Sequence, residues 1–203
     1  QEQLVGGVET LFKTSSDTVV GYANDAYKTA GMSANEYMET VTSFSASLLA
    51  SMNNDTAAAA EKANVAITDM SDNANKMGTD ISLIQNAYNG FAKQNYTMLD
   101  NLKLGYGGTK EEMQRLLDDA SKLSGIKYDI SSYSDVVDAI HVVQTEMGIT
   151  GTTAKEASTT IEGSVSSMSS AWDNWVAGMA DSEANFSQLT SNLVDSIVTV
   201  VGN

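Results

Sequence analysis

The chain has 203 residues, no cysteine, no proline and a formal net charge of −15, from 26 Asp and Glu against 11 Lys and Arg. Disulfides and thiolate metal sites are excluded, and tight nucleic-acid binding is disfavoured because it needs many Lys and Arg on phosphates. The missing proline, where average usage would supply about ten, suits a chain that is mostly helix. Gln1-Glu2 lacks the basic start and apolar core of a signal peptide, and no apolar run is long enough to span a bilayer. The chain starts without Met and stops inside an apolar pattern, Ile197 to Val201, so we read it as an excerpt of a longer protein.

Taken in order, the first clear helix start is Ser33 with Glu36, an S-x-x-E capping box. It opens a helix to about residue 51 with Tyr37, Val41, Phe44 and Leu48 facing inward. Asn53-Asn54-Asp55 separates this from an alanine-rich helix, Thr56–Met77, in which Ala59, Ala63, Ala66, Ile67 and Met70 could pack. Next, Ile81, Ile84, Tyr88, Phe91, Met98 and Leu102 fall on one stripe of a helix running to the glycines at 105, 107 and 108. Those glycines read as its terminus, because glycine tolerates the left-handed conformation a helix end needs. Thr109 and Glu112 form a T-x-x-E box for the following helix. Residues 126–130 could be extended but are too few to define a sheet.

Ser132 and Asp135 then cap a helix over 136–147, which the Gly148–Gly151 break ends. Thr153 and Glu156 make another box. The helix after it carries Ile161, Val165, Met168, Trp172, Trp175 and Met179 in heptad-like steps. The last segment repeats the idea with Phe186, Leu189, Leu193, Ile197 and Val200. The expected fold is therefore all-α: a multi-helix bundle with glycine-marked turns. Two parts are expected, an N-terminal helical arm over 1–78 and a better packed helical region over 79–203. One unbroken helix of this length would reach about 300 Å at 1.5 Å per residue. Repeated caps and glycines argue against such a rod.

Each motif that could carry chemistry has a plainer reading. His141 is the only histidine, with Asp138 one turn away, and a structural role outweighs a catalytic base that would need an oriented nucleophile. Gly105-Tyr-Gly-Gly-Thr-Lys110 has a lysine beside a hydroxyl but lacks the spacing of a phosphate loop, and a helix precedes it. Glu111-Glu112 and Asp118-Asp119 match no calcium loop and read as solvated helix faces. Trp172 and Trp175 sit on an apolar stripe that reads first as core and second as partner contact. Trp175-Val-Ala-Gly178 misses the W-x-G turn of small secreted helical hairpins by one residue. Tyr106, Trp172 and Trp175 are the candidate partner contacts. No catalytic residue, cofactor or metal ligand is assigned.

The run GFAKQNYTMLDNLKLGYGGTKEEM, residues 90–113, resembles a block found in tape-measure proteins of tailed bacteriophages and phage-derived tail particles. The likeness extends through DAYKTAGMSANEYMETVTSFSASLL and DMSDNANKMG upstream. It continues in YDISSYSDVVDAIHVVQTEMGITGTTAKEASTTIEGS and the Ala171-Trp172 region downstream, covering about residues 23–181. The resemblance implies a structural, non-enzymatic protein of the virion tail, present in the host cytoplasm during assembly. It would set tail length, lie in the tube lumen or dock at a tail end, and leave ahead of DNA at ejection. Implied partners are the tail tube, tip or baseplate proteins, tail assembly chaperones and further copies of the chain. Membrane contact would come only through other parts of a longer protein. The alternative reading is a secreted or surface-associated helical interaction protein.

Overall fold

A computed structural model describes residues 2–159, 161–179 and 186–202, with the side chains of residues 161–164, 179, 186 and 202 outside the described set. The expectations for Ile161, Met179 and Phe186 therefore lie outside the described residues. Among the described residues every regular element is helical, in agreement with the all-α reading. In chain order the α-helices are α1 (Glu2–Phe12), α2 (Ser16–Thr29), α3 (Ala34–Ser51), α4 (Thr56–Met77) and α5 (Ile81–Ala92). They continue with α6 (Lys110–Ser124), α7 (Tyr133–Glu146), α8 (Thr152–Thr159), α9 (Ile161–Met179) and α10 (Phe186–Gly202).

Local chemistry explains several of the starts. Ser33 and Glu36 form the expected box: the Glu36 carboxylate accepts from Ser33 N at 2.7 Å, and the Ser33 hydroxyl accepts from Glu36 N at 3.4 Å. Asp55 caps α4 by accepting from Ala58 N at 3.1 Å, while Asn53 and Asn54 take left-handed backbone at φ 54° and 57°. Asn tolerates that conformation better than most residues, which is why Asn-Asn-Asp turns the chain here. Gly78 ends α4 at φ 71°. At α6 the Thr109 hydroxyl accepts from Glu112 N, but the Glu112 carboxylate reaches Gly107 N rather than closing the box on Thr109. α8 starts at Thr152, so Thr153 lies inside the helix it was expected to cap. Replacing Asp55 with alanine should cost about 1 kcal/mol, the usual value of an N-cap. The check is a lower urea midpoint with an unchanged slope.

The helices fall into two compact units, Gln1–Thr42 with Thr153–Asn203, and Ser43–Thr152, the division lying inside α3. This does not follow the expected boundary at residue 78. In the first unit Val8 and Phe12 of α1 and Val19 and Ala23 of α2 are buried, so these helices pack rather than extend as an arm. In the second, α4 is central. Its Ala59, Ala63, Ala66, Ile67 and Met70 are buried as expected, and polar side chains bind it to later elements. Asn73 Nδ2 donates to Leu102 O at 2.9 Å and to Gln144 Oε1 at 2.7 Å. Asp72 accepts from Gly151 N at 2.7 Å. Tyr133 packs edge-on against Phe44, with ring centroids 6.4 Å apart, and donates its hydroxyl to Tyr88 O at 3.1 Å.

The stripe expected to run from Ile81 to Leu102 is not one helix. α5 stops at Ala92, the chain turns through 93–98, and a short 3₁₀ segment covers Leu99–Leu102. Asn95 is the reason: its Oδ1 accepts from Thr97 N at 3.1 Å and from the Thr97 hydroxyl at 2.7 Å, an Asx turn that competes with helix. Past the turn Leu102 of that stripe is buried and Met98 only partly so, while Leu99 and Leu104, which were not on it, are buried as well. Of the three glycines after it, only Gly105 has positive φ, at 92°.

Candidate partner-contact surfaces

Tyr106 lies in the loop between the 3₁₀ segment and α6, half-buried rather than freely exposed. Its hydroxyl donates to Asp119 Oδ2 at 2.7 Å, and the Arg115 guanidinium stands 4.3 Å from its ring centroid. Burial, then the Asp119 carboxylate, push the phenol up to about 12. The Tyr106 hydroxyl in turn holds the Asp119 carboxyl below its usual range. Arg115 also donates to Gly105 O at 2.8 Å and to Glu112 Oε2 at 2.5 Å. Both handles of the tyrosine are thus engaged within its own loop and helix. The same bonds bear on the phosphate-loop likeness: Gly107 N faces the Glu112 carboxylate, which would repel an incoming anion.

Trp172 and Trp175 belong to the other unit, on α9. Their ring centroids are 5.5 Å apart at a 35° tilt. Trp175 is partly buried against Tyr27, Ala171 and Leu193, and its Nε1 donates to Thr190 Oγ1 at 3.2 Å. Trp172 is 52% exposed, so the core reading of the stripe fails for it, and Val165 is exposed as well. The cause is the face α9 turns inward. Ser167, Ser170, Ala171 and Asn174 are buried, and Asn174 Oδ1 accepts from Ala34 N at 2.7 Å. Small and amide side chains let the helices approach closely, and the larger apolar residues are left outside.

One cluster escaped the sequence reading. His141 does not pair with Asp138; its Nδ1 lies 3.0 Å from both carboxylate oxygens of Asp69 on α4. Asp138 instead binds Lys62 Nζ at 2.6 Å, beside the Ser134 hydroxyl. Gln144 Nε2 donates to Asp69 O at 3.1 Å, extending the network between α4 and α7. Burial raises the Asp69 carboxyl against the pull of His141, and the bond to Asp69 raises the His141 imidazole. A signal for this was present: Asp69, Asp72 and Asn73 follow Ala66 at helical steps of three and four, on the face that Ala59, Ala63 and Ala66 mark as inward. The arrangement clasps two helices.

A half-open cleft of about 310 Å³ in the second unit is lined by Ser47, Ser51, Phe91, Gln94, Ser131 and Tyr133 among others. It brings together no carboxylate, imidazole or cation, and the Tyr133 hydroxyl is already donated to Tyr88 O. Among the described residues no group of three or more His, Asp or Glu is placed to hold a metal ion, and no helix is long and apolar enough to cross a membrane. Compared with protein families, curated proteins and solved structures, the chain has no significant match in any of the three.

Proposed function

We propose that this chain is a structural segment of a tail tape-measure protein, from a tailed phage or a phage-derived tail particle. It acts in tail assembly and length determination, in the tube lumen or docked at a tail end, and is released ahead of DNA during ejection. The observation that carries this reading is the long phrase at residues 90–113 with its flanking phrases over about residues 23–181. The all-helical fold is compatible with it. A net charge of −15 supports it further, because a negative surface would not retain passing DNA. Tail tube, tip or baseplate proteins, assembly chaperones and further copies are the proposed partners.

Within that role the geometry favours docking or assembly over simple ruling. The longest described helix, α4, has 22 residues and so spans about 33 Å. Chain folded into short helices converts poorly into distance. In-frame deletion of the whole 203-residue segment from its parent protein tests this, read by electron microscopy of the tails. Failure of assembly is the expected result. Intact tails shortened by up to about 300 Å would move the role to ruling. Tails of normal length, number and infectivity would end the tape-measure reading altogether.

A further inference from the structure

The cleft in the second unit lies where two helices end and a third begins. α3 contributes Ser47 and Ser51, α5 contributes Phe91, the turn after it Gln94, and Ser131 and Tyr133 stand at the entry to α7. Its volume of about 310 Å³ is at the small end of the range for small-molecule sites, about 300–1,000 Å³. Phe91 and Tyr133 form the apolar wall. The Tyr133 hydroxyl is committed to Tyr88 O, so this residue offers the cleft its ring.

Gln94 is the unexpected residue. Asn95 N donates to Gly90 O at 2.8 Å and Gln94 N to Phe91 O at 3.0 Å, closing a helix end whose left-handed position is ordinarily filled by glycine. Gln94 takes that position at φ 59°, a strained conformation for a side chain that is neither glycine nor asparagine. Strain of this kind collects where a side chain serves a site, and this side chain lines the cleft. Among the described residues, neither the Gln94 amide group nor the Ser47 hydroxyl makes a hydrogen bond.

The remaining hydroxyls fix the chemistry. Ser51 donates to Leu48 O at 2.7 Å and accepts from Ser134 N at 3.1 Å, while Ser131 donates to Asp129 Oδ1 at 2.7 Å. With both protons engaged, these oxygens offer the cleft lone pairs only. A ligand must therefore donate to Ser51 and Ser131, whereas Ser47 and Gln94 can donate or accept. No lining side chain is charged, and Asp129 already accepts from Ser131 N as well. An ion entering here would leave water without a counter-charge. We propose that the cleft binds a neutral polyhydroxylated ligand, one sugar ring, with its C–H face on Phe91 and Tyr133. Hydroxyls on an uncharged frame supply both the donors and the acceptors that these residues require.

Amide shifts of the intact, isotope-labelled chain test this, on titration with glucose, N-acetylglucosamine and the β-1,4-linked trimer of each. The expected result is a saturable shift at Gln94 and Ser131 with at least one of these sugars, at a dissociation constant of about 1 mM or lower. A trimer at least about tenfold tighter than its monomer assigns the site to a glycan, and equal affinities assign it to a free sugar. Gln94→Gly should weaken binding at least about tenfold while melting at or above the wild-type temperature, because glycine suits φ 59°. Ser47→Leu, which fills the cleft from α3, should abolish binding with helical circular dichroism unchanged. Lys103→Gly changes another left-handed residue, outside the lining, and should bind as the wild type does. Absence of a saturable shift with every sugar overturns the proposal, as does sugar binding that either Gln94→Gly or Ser47→Leu leaves unchanged. Choline bound more tightly than every sugar overturns it in favour of a cation.

Discussion

Gly108→Ala is expected to destabilise the second unit by about 3 kcal/mol or more, the upper range for forcing atoms into a packed site. A β-carbon there would lie 2.3 Å from Thr97 O and 2.9 Å from Thr97 C, and both atoms are backbone. Thr97 cannot easily retreat, because Asn95 holds its amide and hydroxyl in the turn that ends α5. The strain would spread into the segment that buries Leu99, Leu102 and Leu104. Gly107→Ala is the matched control. Its β-carbon would meet only the flexible Glu112 side chain at 3.6 Å, an ordinary contact, and its φ is not positive. That variant should stay within about 0.5 kcal/mol of wild type, as most changes away from packed features do. Urea unfolding of the two variants decides it. Equal stabilities would mean that the close approach of Gly108 to Thr97 is not a constraint in solution.

Removing the imidazole from the α4–α7 clasp should cost nearly as much. His141→Ala leaves the Asp69 carboxyl, 1% exposed, without its cation. Breaking a buried pair in this way costs about 3–5 kcal/mol, and the 39% exposure of His141 lowers the expectation to about 2–3 kcal/mol. The pH dependence has a definite sign. Asp69 raises the His141 pKa in the folded state, so the contribution is fully present below the ordinary histidine value and is lost as pH rises through the folded one. Burial raises the Asp69 pKa too, which again favours the folded state at lower pH. Asp72 and Asp138 face the same histidine and push in the same direction, and Lys62 is occupied by Asp138.

The gap between wild type and His141→Ala in thermal midpoint should therefore be widest near pH 6 and narrow at alkaline pH. At about 2–4 °C per kcal/mol for a chain of this size, the difference is measurable by circular dichroism. A double-mutant cycle sharpens the result. Asp69→Asn should destabilise the wild type yet stabilise His141→Ala, because it removes a stranded charge. Additive losses in the cycle would show that the two side chains do not act as a pair.

The contrast between these two sites shows how far residue order could be read. The N-caps at Ser33, Thr109 and Ser132 were legible because a cap joins groups only three residues apart, and the Ser132 hydroxyl does accept from Asp135 N. The inward faces of α3 and α4 were legible because 3.6-residue periodicity ties spacing to direction. The Asn95 turn was missed because an apolar stripe continued past it, and a single asparagine carries little weight against six matching positions. Gly108 was correctly marked as a glycine the chain needs, but for the wrong reason. Left-handed backbone was expected, and the observed need is room beside Thr97.

For the candidate contacts the limit was different. Tyr106 and Trp172 were both candidate partner contacts, Trp172 being read first as core, and the structure separated them. Tyr106 is held by Asp119 and Arg115, while Trp172 stands outside its unit. Periodicity says that Trp172, Val165 and Val176 share a face; it does not say whether that face turns inward.

Sequence alone determined that this protein is helical, where several of its helices begin, and which residues share a stripe, because those properties are set within one turn of chain. Tertiary structure alone decided that residues 153–203 belong with the first 42, that His141 answers to Asp69, and that α9 buries its serines and shows its tryptophan. Burial depends on which distant surface arrives opposite a helix. Small polar residues can win that position from larger apolar ones when they let two backbones come close.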